Sequence, residues 1–209
     1  QSSKYYPSVL EIKDLSWHPK TSSCAVLSGV NCCINKGHLY GIIGPNGSGK
    51  TSLIRHILRF LPVMEGQISF DQHDVGSYRR KELARTCSYV AQNFHDMFSF
   101  SVYDIVAMGM YPWRKMFATE EKDSRLTIEN AFEATHTSDL RDKPFHVLSG
   151  GEAQRVMIAR AIAQKASWMF FDEPVSQLDI PHQMEILNML SEMRSRHNKT
   201  IICVLHDIN

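Results

Sequence analysis

The chain lacks any apolar run near the roughly 20 residues that span a bilayer as a helix, so any membrane role is expected to come through a partner. It lacks paired cysteine motifs as well. Cys24, Cys32, Cys33, Cys87 and Cys203 are odd in number and show no CxxC spacing, which points to free thiols in a reducing cytosol. It has almost no surplus of either charge: Lys+Arg 23 against Asp+Glu 22 leaves +1. That balance argues against a protein that coats nucleic acid, yet it permits one nucleotide, which needs only a few local cationic and N–H groups. Internal repeats and low-complexity tracts are absent, and the composition excludes a disordered chain, collagen and a coiled-coil rod. Gln1 opens a polar, Ser-rich stretch with no secretory signal. Because the first residue is not Met, a start upstream or a processed end is expected.

The 209 residues, 43% of them hydrophobic, can bury roughly 70% of their unfolded surface without disulfide staples. Short alternating or apolar runs predict strands over Val9–Leu15, Val30–Ile34, Leu39–Ile43, Gln67–Phe70, Ser88–Val90, Trp168–Phe171 and Thr200–Leu205. Lys50–Leu61 carries Leu53, Ile54, Ile57, Leu58 and Leu61 at helical spacing. Tyr78–Arg85 reads as a polar, basic connection. From Phe94 to Phe145 the pattern is mostly helical, best over Val102–Gly109 and Leu126–Thr135, with Glu120, Glu121 and Asp123 crowding the start of the second. Gly151–Ala163 and Ile180–Arg196 are further helices, the last with Pro181 in its first turn. Strands alternating with helices predict an α/β unit with a largely parallel sheet. Residues 1–93 and 152–209 are expected as one lobe and 94–151 as a helical insertion.

Gly44-Pro45-Asn46-Gly47-Ser48-Gly49-Lys50-Thr51, followed by Ser52, fits G-x-x-x-x-G-K-[ST]. Its glycines let the backbone wrap closely and turn N–H groups inward at a helix start, making an anion site. Lys50 would reach the β- and γ-phosphates and the Thr51 hydroxyl would ligate Mg²⁺. About one random chain of this length in a hundred carries such a pattern by typical residue usage. Here it also follows an apolar strand and opens a helix, as the chemistry requires. Trp168–Phe171 is a second apolar strand, ending in Asp172-Glu173. The C-terminal end of a parallel strand is where α/β proteins bind ligands. Asp172 can hold Mg²⁺ and Glu173 can polarise a water lined up on the γ-phosphate, although such a pair alone is commonly a cap or solvated turn.

Leu148-Ser149-Gly150-Gly151-Glu152-Ala153-Gln154-Arg155 resembles the LSGGQ-type signature of ATP-binding-cassette (ABC) ATPases, and other stations follow in that family's order. Gln92, after Tyr89-Val90-Ala91, resembles the Q-loop glutamine. Ser176-Gln177-Leu178-Asp179 resembles the D-loop, with Gln177 where Ala is commoner. His206 in Val204-Leu205-His206-Asp207 resembles the switch histidine, and Trp17 stands where the family has an aromatic that stacks on adenine. The resemblance runs from about Val9 to Asn209. It implies a P-loop NTPase with a RecA-like parallel core, an N-terminal antiparallel β subdomain and a helical signature subdomain. It implies ATP and Mg²⁺ as ligands, with Thr51, Gln92 and Asp172 on the metal and Glu173, His206, Lys50 and Gln92 catalytic. The phosphate loop, Trp17, Ser149, Gly150, Gly151 and Asp179 would contact nucleotide, the signature and Asp179 from across a homodimer. Because the chain stops three residues after His206, the C-terminal part of the family domain is expected to be missing.

The short interval between Gln92 and Leu148 is unlike the coiled-coil genome-maintenance branch, the single cassette is unlike the tandem translation-associated branch, and Arg141–His146 is unlike the acidic segment of exporters. A stand-alone importer ATPase, peripheral on the cytoplasmic face of the membrane, is therefore implied. It would work with integral-membrane permease subunits and, indirectly, a substrate-binding protein. Ser101–Pro112 resembles a stretch of ATPases serving ferric-siderophore, haem and cobalamin permeases, with Ser101 for Thr and Met110 for the usual Arg. Zinc or manganese import is the alternative, and a dimerising nucleotide-gated module without a permease is another. Phe94, Met97, Phe98, Phe100, Tyr111 and Trp113 offer an apolar surface for a permease helix or for packing between lobes. The nine other histidines show no transition-metal spacing. Met64, Met97, Met108, Met110 and Met116 read as core filler or interface.

Overall fold

A computed structural model of the chain describes residues 8–20, 24–92, 100–114, 122–176 and 178–205. In chain order its elements begin β1 (Val9–Trp17), β2 (Leu27–Asn35), β3 (Leu39–Ile42), α1 (Lys50–Ile57), β4 (Ile68–Phe70), β5 (His73–Asp74), α2 (Arg80–Thr86) and β6 (Cys87–Val90). They continue with α3 (Val102–Met108), α4 (Lys122–Ala134), α5 (Gly150–Ala163), β7 (Trp168–Asp172), α6 (Ile180–His197) and β8 (Thr200–Val204). An antiparallel sheet has the order β2-β1-β4-β5, and a parallel sheet the order β3-β8-β7-β6. This is the expected architecture: a parallel core, an N-terminal antiparallel sheet and a helical region carrying α3 and α4.

Strands β7 and β8 are buried along their whole length, the continuous apolar pattern of strands covered on both faces. Their period of two splits them between two cores. Trp168, Phe170, Ile202 and Val204 join Leu10, Ile12, Ile54, Ile57 and Phe70 beneath the antiparallel sheet. Met169, Phe171, Ile201 and Cys203 face the other way, against Val102, Ile105, Ile128, Phe132, Val156 and Ile158 of the helices. One strand pair thus serves both cores. A slip of a single residue would exchange the two faces, so the register is strongly determined.

The C-terminal ends of the parallel strands are level: Ile42 pairs with Val204, Asp172 with Val204, and Val90 with Phe171. The segments that carry the phosphate loop, Gln92 and Glu173 therefore leave the sheet at one edge. His206 follows the fourth strand but lies outside the described residues, as do Gln177, Phe94, Met97 and Phe98.

Several elements differ from the sequence expectation: β2 begins at Leu27 and not Val30, and α4 at Lys122 and not Leu126. Helix α1 ends at Ile57, not Leu61, because Arg59 turns left-handed (φ 57°) and the N–H groups of Phe60 and Leu61 both donate back to the Arg55 carbonyl. The basic connection at 78–85 is largely helix α2. Its start is capped by the Glu82 carboxylate, which accepts from the Arg79 N–H at 2.9 Å. Only Leu83 and Thr86 of α2 are buried, too short a stripe to register as helical periodicity. The Ser101…Asp104 spacing proves to be a reciprocal cap on α3: the Ser101 hydroxyl accepts from the Asp104 N–H, and the Asp104 carboxylate from the Ser101 N–H. Met110 is buried in the helical core. Among the described residues, no helix is long and apolar enough to cross a membrane.

Burial pushes the thiols of Cys87 and Cys203 above the ordinary range, Cys203 to about 12. A group whose pKa is raised by folding keeps its proton longer in the folded state. The stability it contributes is whole below about pH 9 and is lost as pH rises toward the folded value. Replacing both cysteines with alanine is expected to lower the melting temperature at pH 7 but to flatten its alkaline decline. Circular-dichroism melts across about pH 9 to 11 would show an unchanged decline if the thiols carry none of it.

Candidate functional site

The phosphate loop opens directly into α1. Gly49 immediately precedes the helix with φ 91°, a left-handed conformation that side-chain-bearing residues adopt at a cost. Space is short as well as conformation: a Cβ there would lie 2.8 Å from both the Val26 carbonyl oxygen and Leu27 Cδ2. The first turn of α1 contains no acidic residue, so its free N–H groups and the positive end of the helix dipole remain available to an anion. Lys50 is buried to 8% exposure, and its ammonium donates to the carbonyls of Gly44 (2.6 Å) and Pro45 (3.0 Å). The loop's own backbone holds the cation at its mouth, where a phosphate oxygen can replace a carbonyl.

Asp172, 4% exposed at the end of β7, accepts from two hydroxyls. Thr51 Oγ1 donates to Oδ1 at 2.8 Å and the Tyr89 phenol to Oδ2 at 3.1 Å. Burial and then the Asp172 carboxylate push the Tyr89 phenol up to about 12, with Arg55 acting in the opposite sense. Tyr89 is therefore a hydrogen-bond donor at any physiological pH. Next along the chain, Glu173 adopts φ 53° and turns away from the strand. Its N–H donates to the Val204 carbonyl, and its own carbonyl accepts from the N–H and hydroxyl of Ser176. The Gln92 amide donates to the Glu173 carboxylate. Hydroxyl, carboxylate and amide oxygens are the hard donors that Mg²⁺ prefers, so Thr51, Asp172 and Gln92 suit that ion by chemistry.

A cavity of about 370 Å³ opens beside the loop and Glu173, lined by Trp17, Pro19, Val26, Asn46 through Ser52, and Glu173. Trp17 thus lines the same cavity as the phosphate loop, and His56 meets its ring edge-on at 5.2 Å between ring centroids. Burial lowers the pKa of His56, and its Nδ1–H donates to the Pro62 carbonyl.

Ser149, Gly150, Gly151 and Asp179 line no part of this cavity. They form a second cluster. Ser149 caps α5 reciprocally with Glu152, whose carboxylate is held below the usual range by the Ser149 backbone and hydroxyl. Gly151 packs so closely on the His182 ring that a Cβ would meet its Cδ2 at 2.9 Å. Asp179 caps α6 by accepting from the His182 N–H (3.2 Å), and it also contacts His182 Nδ1, which holds the carboxyl below its usual range. Arg155 pairs with Glu185 at 3.1 Å, a second tie between α5 and α6. Sequence reasoning missed two residues of these clusters. Tyr89 was visible only as a phenol among apolar strand residues two positions before Ala91, and His182 had no signal beyond its place in the first turn of α6.

A G-x-x-x-x-G-K-T loop and an acidic strand end, side by side at the C-terminal edge of a parallel sheet, define a P-loop nucleotide-binding fold. Residues 27–176 match the ABC transporter family, and the chain belongs to it. It is 38% identical over 176 residues to the ferric enterobactin transport ATP-binding protein FepC of Escherichia coli K12, covering 84% of this chain and 65% of that protein. The chain therefore spans just under two thirds of that relative's length. Among solved structures, it resembles CbiO1 of Clostridium perfringens, part of the ABC transporter complex CbiONQ (TM-score 0.83, 32% identity, 97% of this chain and 80% of that one). It also resembles the dimeric, post-hydrolysis cassette MJ0796 bound to ADP and Pi (TM-score 0.82, 25% identity, 96% and 89%).

Gly49→Ala combines a left-handed backbone with a clash against a main-chain oxygen. It is expected to cost about 2–3 kcal/mol and to lower the melting temperature by roughly 5–10 °C. A thermal melt indistinguishable from wild type would contradict the packing described for the loop.

Proposed function

We propose that this chain is the ATP-binding and ATP-hydrolysing subunit of an importer, powering uptake of an iron chelate, haem or cobalamin through a separate permease. The observation that carries the ATPase reading is the convergence of Lys50, Thr51, Asp172 and Glu173 at one sheet edge, around a cavity that also holds Trp17. The adenine would lie on Trp17 and the phosphates in the loop, with Lys50 exchanging its backbone carbonyls for phosphate oxygens. Mg²⁺, when bound by Thr51, Asp172 and Gln92, supplies charge neutralisation on the phosphates. Glu173 accepts the proton of the attacking water, and Gln92, bonded to that carboxylate, orients it. His206 would contact the γ-phosphate.

Separation of the two clusters supports a dimeric site. Ser149, Gly150, Gly151 and Asp179 line no part of the cavity at the chain's own phosphate loop, so a second copy is the natural source of their counterpart. The dimeric form of MJ0796 supports the same reading. Nucleotide then joins two subunits, and its hydrolysis weakens their contact through lost differential affinity. The importer assignment draws on FepC and on the Ser101–Pro112 segment, whose physical content is the α3 cap and the exposed Met108 and Tyr111 beyond it. Working with a permease would place the chain peripherally on the cytoplasmic face of a membrane.

Glu173→Gln is expected to preserve ATP binding, to lower phosphate release at least 100-fold and to accumulate an ATP-bound dimer in size-exclusion chromatography. Wild-type turnover in that variant would refute the assignment of the base. The cargo is tested with the permease-bound protein in proteoliposomes. ATP-dependent accumulation of a ferric chelate, haem or cobalamin supports the reading, and accumulation of free zinc or manganese alone overturns it.

A further inference from the structure

Tyr89 stands between two features of the molecule that are otherwise separate. On one side its phenol donates to Asp172 Oδ2 at 3.1 Å, completing the pair of hydroxyls on that carboxylate. On the other it lines a cleft of about 580 Å³ that runs between the end of α1, α2, β6 and α5, and includes Arg59, Phe60, Arg80 and Arg160. Phe60, 62% exposed, meets the Tyr89 ring edge-on with centroids 5.6 Å apart. None of Thr51, Asp172 and Glu173 lines this cleft, and neither Phe60 nor Tyr89 lines the nucleotide cavity. The half-buried phenol is thus a physical link between the two.

We propose that Tyr89 is a positioning residue for the cation-binding carboxylate of Asp172, and that Phe60, packed edge-on against its ring, helps hold the phenol in place. Asp172 is nearly withdrawn from water, so its orientation is determined by the hydroxyls it accepts from. Thr51 is itself a candidate cation ligand and must share its oxygen when the ion binds. Tyr89 takes no part in coordination and is left as the fixed support, the role that outer-shell partners play at metal sites. Ring packing by Phe60 limits where the phenol can sit, so a change at an exposed residue is transmitted through one aromatic contact and one hydrogen bond to the carboxylate. The inference rests on the reading of Asp172 as a ligand of the nucleotide-associated cation.

The test measures binding and not turnover. Mn²⁺ is titrated into the protein with ADP and followed by electron paramagnetic resonance, and ADP affinity is measured separately without divalent ion. Tyr89→Phe keeps the ring and removes only the hydroxyl. It is expected to weaken Mn²⁺ about tenfold while metal-free ADP affinity stays within about twofold. Phe60→Ala, a surface change that leaves both cores intact, is expected to weaken Mn²⁺ about threefold and to have no further effect in the Tyr89→Phe background. Wild-type Mn²⁺ binding by Tyr89→Phe overturns the proposal, and so does an equal loss of metal-free ADP binding, which would mark general damage to the loop. Wild-type Mn²⁺ binding by Phe60→Ala, or additive losses in the double variant, overturns the role given to Phe60. Failure of the wild-type protein to bind ADP would instead count against the nucleotide-binding function itself.

Discussion

The structure depends most on one buried carboxylate at the end of a central strand. Asp172 lies at 4% exposure with both oxygens accepting hydroxyl protons, one from the helix after the phosphate loop and one from the neighbouring strand. Removing a carboxylate from water is costly unless hydrogen bonds replace those it loses. The same bonds that offset the cost also fasten α1, β6 and β7 to one another at the edge where the chemistry is gathered. Strand register makes this possible. With β7 paired on both sides, Asp172 lies opposite Val204, and the next residue, Glu173, is turned out of the sheet by a positive φ and tied to the Val204 carbonyl. Two adjacent acidic residues thereby acquire different surroundings and different capabilities.

The second organising constraint is the joining of α5 to α6. Among the described residues, short polar side chains cap the starts of α3, α5 and α6: Ser101 with Asp104, Ser149 with Glu152, and Asp179 alone on α6. The last two are brought together by the contact of Gly151 with His182 and by the Arg155–Glu185 pair. Gly151 therefore needs its bare Cα for packing within the chain as well as for any ligand that approaches the start of α5. This unit lines no part of the cavity at the phosphate loop.

Much of this was legible in the residues. The loop from Gly44 to Thr51, the apolar strand ending in Asp172-Glu173, and the alternation of strands and helices each carry a local physical signal. They led to the parallel core and to Lys50, Thr51, Asp172 and Glu173 as one region, whereas the antiparallel sheet and the places of Gln92 and Trp17 came from the resemblance to the ABC family. Other features had no such signal. Helix α2 is short and mostly exposed, so its sequence resembles a loop. The end of α1 is decided by a left-handed Arg59, a conformation that propensity does not foresee. Met110, read as a departure from a family pattern, occupies a buried position where a charged side chain would be costly and a flexible apolar one packs well.

What the sequence determined by itself was the local chemistry: which segments bury apolar faces, where glycines allow an anion-binding turn, and which side chains can carry a proton or hold a hard cation. Those properties depend on residue type and short-range spacing, so they are present in the chain before it folds. Tertiary structure alone decided which of these groups meet. It placed Tyr89 on Asp172 across 83 positions, set His182 against Gly151, and left the start of α5 out of the cavity at the phosphate loop. The reason is that such contacts are set by sheet order and by helices sharing a buried face, relations between distant segments that no local pattern encodes.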